Sequence, residues 1–65
     1  MCIKIVELIG NSPKSFEDAI ADGVKRAGET IRGISGVDVI GQTAVVADNK
    51  IVEYRVNMKV AFKVE

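Results

Sequence analysis

One segment near the C-terminus alternates between apolar side chains and polar or small ones. Its apolar positions are Val52, Tyr54, Val56, Met58, Val60, Phe62 and Val64. Side chains of a β-strand point alternately to its two faces, so this period of two predicts one strand of about 13 residues, roughly 43 Å long. The helix predicted below is only about 27 Å long, which is too short to cover the whole apolar face. We therefore expect part of this face to contact another subunit.

A strand and a helix are predicted at the start of the chain. Residues 3–9 are mainly β-branched and apolar, which predicts a mostly buried strand. The turn formers of residues 10–13 are expected to end it. A helix of about 18 residues follows, because apolar residues recur at steps of three and four. These residues are Phe16, Ala19, Ile20, Val24, Ala27 and Ile31.

Both ends of this helix carry capping signals. Ser15 is placed to accept a hydrogen bond from the backbone N–H of Asp18, and the Asp18 carboxylate can accept one in return to complete a capping box. Gly33 suits the left-handed position that follows a helix C-terminus. We therefore expect the helix to begin near Ser15 and to end just before Gly33.

Residues 37–47 have a weaker strand pattern. Gly41 in the middle indicates a bulge or the close approach of another backbone, and Asp48–Asn49 is a hairpin signal. The predicted fold class is α+β, a single domain over residues 1–65 with the order β-α-β-β. Its three-stranded antiparallel sheet pairs the first strand with the last and packs one face against the helix. The other face, which carries Arg55, is expected to meet water or a neighbouring subunit.

The chain has 65 residues, and a chain of this size buries only about 60% of the surface that its unfolded form exposes. Cys2 is the only cysteine and there is no histidine. Disulfides within one chain are therefore excluded, and a structural zinc site is nearly excluded. Oligomerisation is the expected source of the missing stability.

Charge and segment composition argue against some partners. Nine basic residues balance nine acidic ones, without the basic excess that is typical of nucleic-acid binders. No apolar run approaches the roughly 20 residues that a membrane span needs. Residues 1–4 lead straight into an alternating pattern rather than a signal peptide. We expect a cytoplasmic protein that binds neither nucleic acid nor membranes.

Few side chains suit catalysis. Without histidine, the usual pairs of nucleophile and base cannot form within one chain, so Cys2 is expected to be an inert thiol. Acid–base chemistry by carboxylates, lysines or Tyr54 stays open. Composition therefore favours a binding or structural protein over an enzyme.

Three polar features have both a structural and a functional interpretation. Gly33–Gly36 has the GxxG form of nucleic-acid-binding KH loops, but it lies between a helix and a strand, which favours capping and a tight turn. Arg55 suits a phosphate or carboxylate ligand, or a cross-strand pair. An acidic stripe on the helix is a solvated face, or a cation site if symmetry brings several copies together. The stripe consists of Glu17, Asp18, Asp22 and Glu29.

Two long segments resemble the dodecin family. The run from Glu7 to Ile20 is similar to the strand-to-helix junction of dodecins, and both Arg26–Ala27 and the run from Tyr54 to Phe62 are similar to the rest of that family. The resemblance covers residues 3–65 in element order and spacing. It implies a hollow homododecamer of β-α-β-β chains with tetrahedral symmetry, which would supply the oligomer expected from the chain length.

The resemblance also implies a ligand site, at which this chain departs from flavin-binding dodecins. In those proteins paired flavins stack on a tryptophan, which matches Gly36 here, and a glutamine that hydrogen-bonds the ring matches Arg55. An acidic position matches Gly41, while Asp38 remains in the same strand. Losing the indole removes stacking of about 1–3 kcal/mol per ring, by analogy with base stacking. Arg55 can donate hydrogen bonds but cannot accept them.

The resemblance leaves several functions open. We predict a non-catalytic dodecamer that binds or stores a small ligand, a flavin (riboflavin or FMN) in the family, at Gly36, Asp38, Gly41 and Arg55. The alternative is a calcium-binding dodecamer without flavin, because dodecin-like proteins that lack the tryptophan have been described as calcium-associated. An anionic ligand such as a nucleotide phosphate on Arg55 is a further hypothesis. A small enzyme at a subunit interface is the least favoured one.

Overall fold

A computed structural model describes all residues, 1–65, as three strands and one helix. β1 spans Cys2–Ser12, α1 spans Phe16–Gly28, β2 spans Ile34–Ala47 and β3 spans Lys50–Val64. The strands form one antiparallel sheet in which β3 lies between β1 and β2. The predicted β-α-β-β order and the pairing of the first strand with the last are both confirmed.

β1 is longer than the sequence predicts. Residues 10–12 continue the pairing with β3, so the prediction that residues 10–13 end the strand was wrong for three of the four. A Cβ on Gly10 would lie 2.2 Å from the carbonyl oxygen of Ala19, which means that this glycine lets the helix approach the strand closely. The strand ends before Pro13, which has no N–H to donate to a ladder.

The N-terminus of α1 is capped as predicted, but only from one side. The Ser15 hydroxyl accepts a hydrogen bond of 3.0 Å from the backbone N–H of Asp18. The Asp18 carboxylate does not complete the capping box, because it accepts a hydrogen bond of 2.6 Å from the Ser12 hydroxyl instead. Ser12 in turn accepts from the backbone N–H of Lys14 at 2.9 Å. These contacts fasten the start of the helix to the end of β1.

α1 ends at Gly28 after 13 residues, earlier than the predicted end before Gly33. Gly28 and Thr30 are poor helix formers, and the N–H groups of Thr30 and Ile31 both bond to the Ala27 carbonyl in a tightened last turn. Gly33 does have a positive φ of 78°, but it lies beyond the helix, and its carbonyl accepts from the N–H of Lys63 on β3. Gly33 therefore starts the sheet pairing rather than capping the helix.

The helix packs on one face of the sheet, here called the inner face, and closes a small core. In this core, β3 contributes the buried side chains of Val56, Met58 and Val60, each 0% exposed, and α1 contributes those of Ala19 and Ala27. Only 8 of the 65 residues are buried. A core of this size gives a single chain little hydrophobic stabilisation.

The hairpin of β2 and β3 extends well beyond the helix. The chain measures 49 Å along its longest axis, whereas the helix is about 20 Å long at the usual rise per residue. Apolar side chains near the hairpin tip are consequently uncovered: Val46, Ile51 and Val52 are 61%, 51% and 48% exposed. The prediction that one helix cannot cover the apolar face of β3 is confirmed.

β2 begins at Ile34, three residues before the predicted start. Its register with β3 shifts at three places, and one shift lies between Val39 and Gly41, which confirms the predicted bulge. Asp48 and Asn49 connect β2 to β3 with φ values of 52° and 63°. Tight hairpin turns require this left-handed pair, so the predicted hairpin is confirmed as well.

The helix is too short and too polar to cross a membrane.

Candidate functional site

The outer face of the sheet, opposite α1, carries all four residues that the sequence analysis assigned to a ligand site. Residues opposite each other in an antiparallel pair point to the same side, and neighbours along a strand point to opposite sides. Arg55 precedes the buried Val56 and therefore points outward. Three residues of β2 lie opposite outward-pointing positions of β3: Gly36, Asp38 and Gly41.

These residues are spread along the sheet rather than gathered in one pocket. Gly41 pairs with Asn57, two residues from Arg55, which makes Gly41 and Arg55 diagonal neighbours at roughly 7 Å. Gly36 pairs with Ala61, which is about 20 Å along β3 from Arg55. One chain therefore does not place Gly36 and Arg55 against the same small ligand.

The backbone is open to the outside at two of these positions. A Cβ built on Gly36 or on Gly41 would meet no atom within 4 Å. Nothing in the chain covers either glycine, so the second interpretation of Gly41, a close approach of another backbone, does not apply within the chain. Both glycines leave room for a flat ring or for a side chain from another copy.

Arg55 is held by a carboxylate on its own strand. Its Nε donates a hydrogen bond to Oε2 of Glu53, with which it also forms an ion pair. The other oxygen of the same carboxylate, Oε1, accepts from Nδ2 of Asn11 at 3.2 Å, and Asn11 lies opposite Arg55 on β1. The ion pair therefore runs along the strand, not across strands as one sequence interpretation had it.

Glu53 is the residue at this site that the sequence analysis did not single out. It precedes Arg55 by two residues, and in a strand this spacing places both side chains on the same face. That spacing was the available signal for the pair. The contribution of Asn11 could not be found in this way, because it depends on the register between β1 and β3.

The charges of the outer face are balanced. Lys59 lies opposite Glu7 on β1 and opposite Asp38 on β2, so one row across the sheet carries a cation between two acidic residues. Lys59 forms no ion pair within 4.0 Å. The chain has two ion pairs, Arg55–Glu53 and Arg26–Asp22. Three acidic and three basic side chains share this face: Glu7, Asp38, Glu53, Arg55, Lys59 and Lys63.

The acidic stripe on the helix forms no metal site within one chain. Asp18 accepts from Ser12, and Asp22 accepts from Nε of Arg26 at 3.0 Å. A shallow cavity of about 190 Å³ on the helix is lined by two acids and two bases: Asp22, Lys25, Arg26 and Glu29. No group of three or more His, Cys, Asp or Glu side chains could hold a metal ion.

Tyr54 and Phe62 both lie on the inner face and are half-buried, as the alternation along β3 predicts. Tyr54 packs on Phe16 of the helix with ring centroids 4.9 Å apart and an edge-to-face angle of 79°. This contact confirms its place on the inner face. Phe62 is half-buried on the same face. The Cys2 thiol is free and exposed near the start of β1.

The sequence model of the dodecin family matches residues 2–65. The chain belongs to the dodecin family. This match confirms the resemblance drawn from the strand-to-helix junction and the last strand. Dodecins are small binding proteins rather than catalysts.

Individual dodecins are similar in sequence and in structure. Calcium dodecin of Mycobacterium tuberculosis (strain ATCC 25618 / H37Rv) is 37% identical over 60 residues, which cover 92% of this chain and 84% of that protein. Its crystal structure, described as a calcium-chelating antigen with a novel calcium-binding site, matches with a TM-score of 0.87 and 34% identity, covering 100% of this chain and 93% of that one.

Two other solved structures match the fold more closely. Dodecin from Streptomyces coelicolor has a TM-score of 0.96 at 25% identity and covers 98% of this chain and 91% of its own. The tt0972 protein from Thermus thermophilus has a TM-score of 0.94 at 31% identity, and the match covers 98% of this chain and 94% of that one. These matches confirm the predicted fold class.

Proposed function

We propose that this dodecin is a non-catalytic homododecamer that binds and stores a small planar ligand, a flavin such as riboflavin or FMN, between the outer faces of two copies. The proposal treats residues 1–65 as one dodecin domain acting in the cytoplasm. One observation carries it: Gly36 and Arg55 lie on the same open face, but about 20 Å apart along the strand. A second copy in antiparallel orientation would bring the Gly36 of one chain beside the Arg55 of the other.

Burial in the isolated chain supports the assembly. Only 8 of 65 residues are buried, and apolar side chains at both ends of the sheet are about half exposed or more. Exposed apolar area of this extent is typical of a surface that another molecule covers. Covering it with further copies would provide the stability that the small core lacks.

The outer face has the groups that a planar ligand needs. Gly36 and Gly41 leave open backbone against which a ring can lie. Arg55 on β3 offers hydrogen-bond donors beside Gly41. Asp38 adds a carboxylate on β2, the strand that carries Gly41. Dodecins bind flavins in general. Without an indole at Gly36 the stacking contribution is smaller than in dodecins that have the tryptophan.

Restoring the indole tests this proposal. We expect G36W to bind riboflavin at least about fivefold more tightly than wild type, because a stacked ring adds about 1–3 kcal/mol. The matched control is G28W, because a Cβ at Gly28 also meets nothing within 4 Å but lies at the end of α1. Isothermal titration calorimetry reports affinity without relying on fluorescence, which an added indole would quench.

The outcome at Gly36 decides between two accounts. Tighter binding by G36W alone supports a flavin site at this position. Equal affinities for G36W and G28W, or no riboflavin binding by either, would rule out flavin as the ligand of this face.

Calcium is the second candidate, favoured by the 37% identity to a protein named calcium dodecin. One chain holds no cluster of three candidate ligands, so a calcium site would have to be built from several copies. On the acidic stripe, Asp18 and Asp22 already accept hydrogen bonds within the chain. Glu17 and Glu29 make no side-chain hydrogen bond or ion pair within the chain, so they are the carboxylates of the stripe that are most open to a shared ion.

Thermal unfolding tests whether the assembly binds calcium. A cation that binds only the folded assembly raises its melting temperature in proportion to the logarithm of its concentration. The calcium hypothesis predicts this rise with calcium and not with an equal concentration of magnesium, in protein first treated with a chelator. Equal responses to both ions would contradict it.

A further inference from the structure

We infer that Glu53 determines which ligands Arg55 can bind. The two side chains form an ion pair without net charge, and the remaining N–H donors of the guanidinium suit an uncharged heteroaromatic ring. The inference rests on the proposed function, because it concerns the ligand of the same outer face. It identifies a specificity residue that lies outside the four predicted site positions.

The Glu53 carboxylate is fixed from two strands. Its Oε2 accepts from Nε of Arg55, and its Oε1 accepts from Nδ2 of Asn11 on β1. The Glu53 side chain is 29% exposed and that of Arg55 is 50% exposed. The carboxylate is thus the more enclosed partner, and the guanidinium extends from it toward the open side of the sheet.

Four of the five N–H donors of Arg55 remain for a ligand. A guanidinium has one N–H on Nε and two on each Nη, and Glu53 takes the one on Nε. The two Nη atoms present parallel donors, which match an edge that carries two neighbouring acceptors. A flavin ring has such an edge, where a ring nitrogen lies beside a carbonyl oxygen.

Charge balance gives the preference. The Arg55–Glu53 pair is formally neutral, and the outer face as a whole carries three acidic and three basic side chains. A phosphate bound at Arg55 would lie close to the Glu53 carboxylate and be repelled by it. An uncharged ring with paired acceptors meets the same donors without that repulsion. The ligand class is therefore an uncharged planar heteroaromatic ring rather than an anion.

Riboflavin and FMN differ only in a phosphate, so their affinity ratio measures this preference. We expect E53Q to shift the ratio of dissociation constants toward FMN by about two- to fivefold, the range of a partly exposed charge pair. The control is E7Q, which removes the same charge from the same face. The Glu7 carboxylate makes no hydrogen bond or ion pair in the structure, so E7Q should leave the ratio unchanged.

Proton exchange at Nε gives a readout that does not involve a ligand. The chain has three arginines, Arg26, Arg32 and Arg55, so an NMR spectrum of arginine side chains contains three Nε–H signals. R55K removes one of them and thereby assigns it. We expect this signal to exchange slowly with water in wild type and faster in E53A, which has no side-chain acceptor at this position, with no change in E7A.

The outcomes separate this inference from the proposed function. No binding of either flavin by wild type would overturn both. Binding with the same ratio in wild type and E53Q, or an equal shift in E53Q and E7Q, would overturn the role of Glu53 alone. An Arg55 Nε–H signal that E53A leaves unchanged would also overturn it, because Glu53 would then not hold the guanidinium.

Discussion

The two faces of β3 carry side chains of opposite character at alternate positions. On the inner face Val56, Met58 and Val60 are fully buried under the helix. On the outer face Arg55, Asn57 and Lys59 are exposed and polar. The same strand therefore contributes most of the core with one set of residues, and Arg55 and Glu53 of the candidate site with the other. Substitutions on the two faces should separate stability from ligand binding.

The largest difference between the faces is expected at two adjacent residues, Met58 and Lys59. M58A should lower the free energy of unfolding by about 2–5 kcal/mol, because it removes a fully buried side chain and leaves a cavity. K59A, on the outer face, should change it by no more than about 0.5 kcal/mol. Urea unfolding at one fixed protein concentration gives both values, because the stability of an oligomer depends on concentration. Similar losses in the two variants would contradict the assignment of faces.

A second comparison uses two glycines of opposite faces. G10A should cost about 1–3 kcal/mol, because its Cβ would meet the Ala19 carbonyl oxygen at 2.2 Å and Met58 Cε at 2.9 Å. G41A should be close to neutral, since a Cβ there meets nothing within 4 Å. The measurement is the same urea unfolding. A destabilising G41A with a neutral G10A would reverse the account of where the helix packs.

A smaller effect is expected from the cap that sets the helix on the inner face. S15A should lower stability by about 1 kcal/mol, because it removes the acceptor for the Asp18 N–H. S35A is the control, since Ser35 is exposed and its hydroxyl makes no hydrogen bond in the chain. Circular dichroism during thermal unfolding compares the two variants. A loss in S35A as large as that in S15A would count against the cap.

The elements that could be predicted from the sequence are those with local signals. The alternation along β3, the Asp48–Asn49 turn and the Ser15 cap each depend on neighbouring residues alone. The end of β1 could not be predicted, because Gly10–Ser12 is a turn signal locally but pairs with β3 and admits the helix. The partner of Asp18 was missed for the same reason, since Ser12 comes within reach only after β1 and α1 have packed together.

The face of the sheet that carries the candidate site could be predicted from the sequence, but the distance between its residues could not. The period of two places Arg55 on the polar side of β3. The separation of Gly36 from Arg55 depends on the register of β2 against β3, which the bulge between Val39 and Gly41 shifts between these positions. A sequence does not specify a register interrupted by bulges, so the need for a second copy at the site became apparent only from the pairing.

The central claim is that this chain completes both its core and its ligand site with other copies of itself. Native mass spectrometry of the untreated purified protein tests it most directly, because it weighs the assembly together with any bound ligand. Twelve chains of 7.0 kDa give about 84 kDa, and the account predicts this mass, with additional mass in flavin-sized steps if flavin is the ligand. A stable folded monomer of 7.0 kDa would contradict the account, because its small core and divided site would then have no partner.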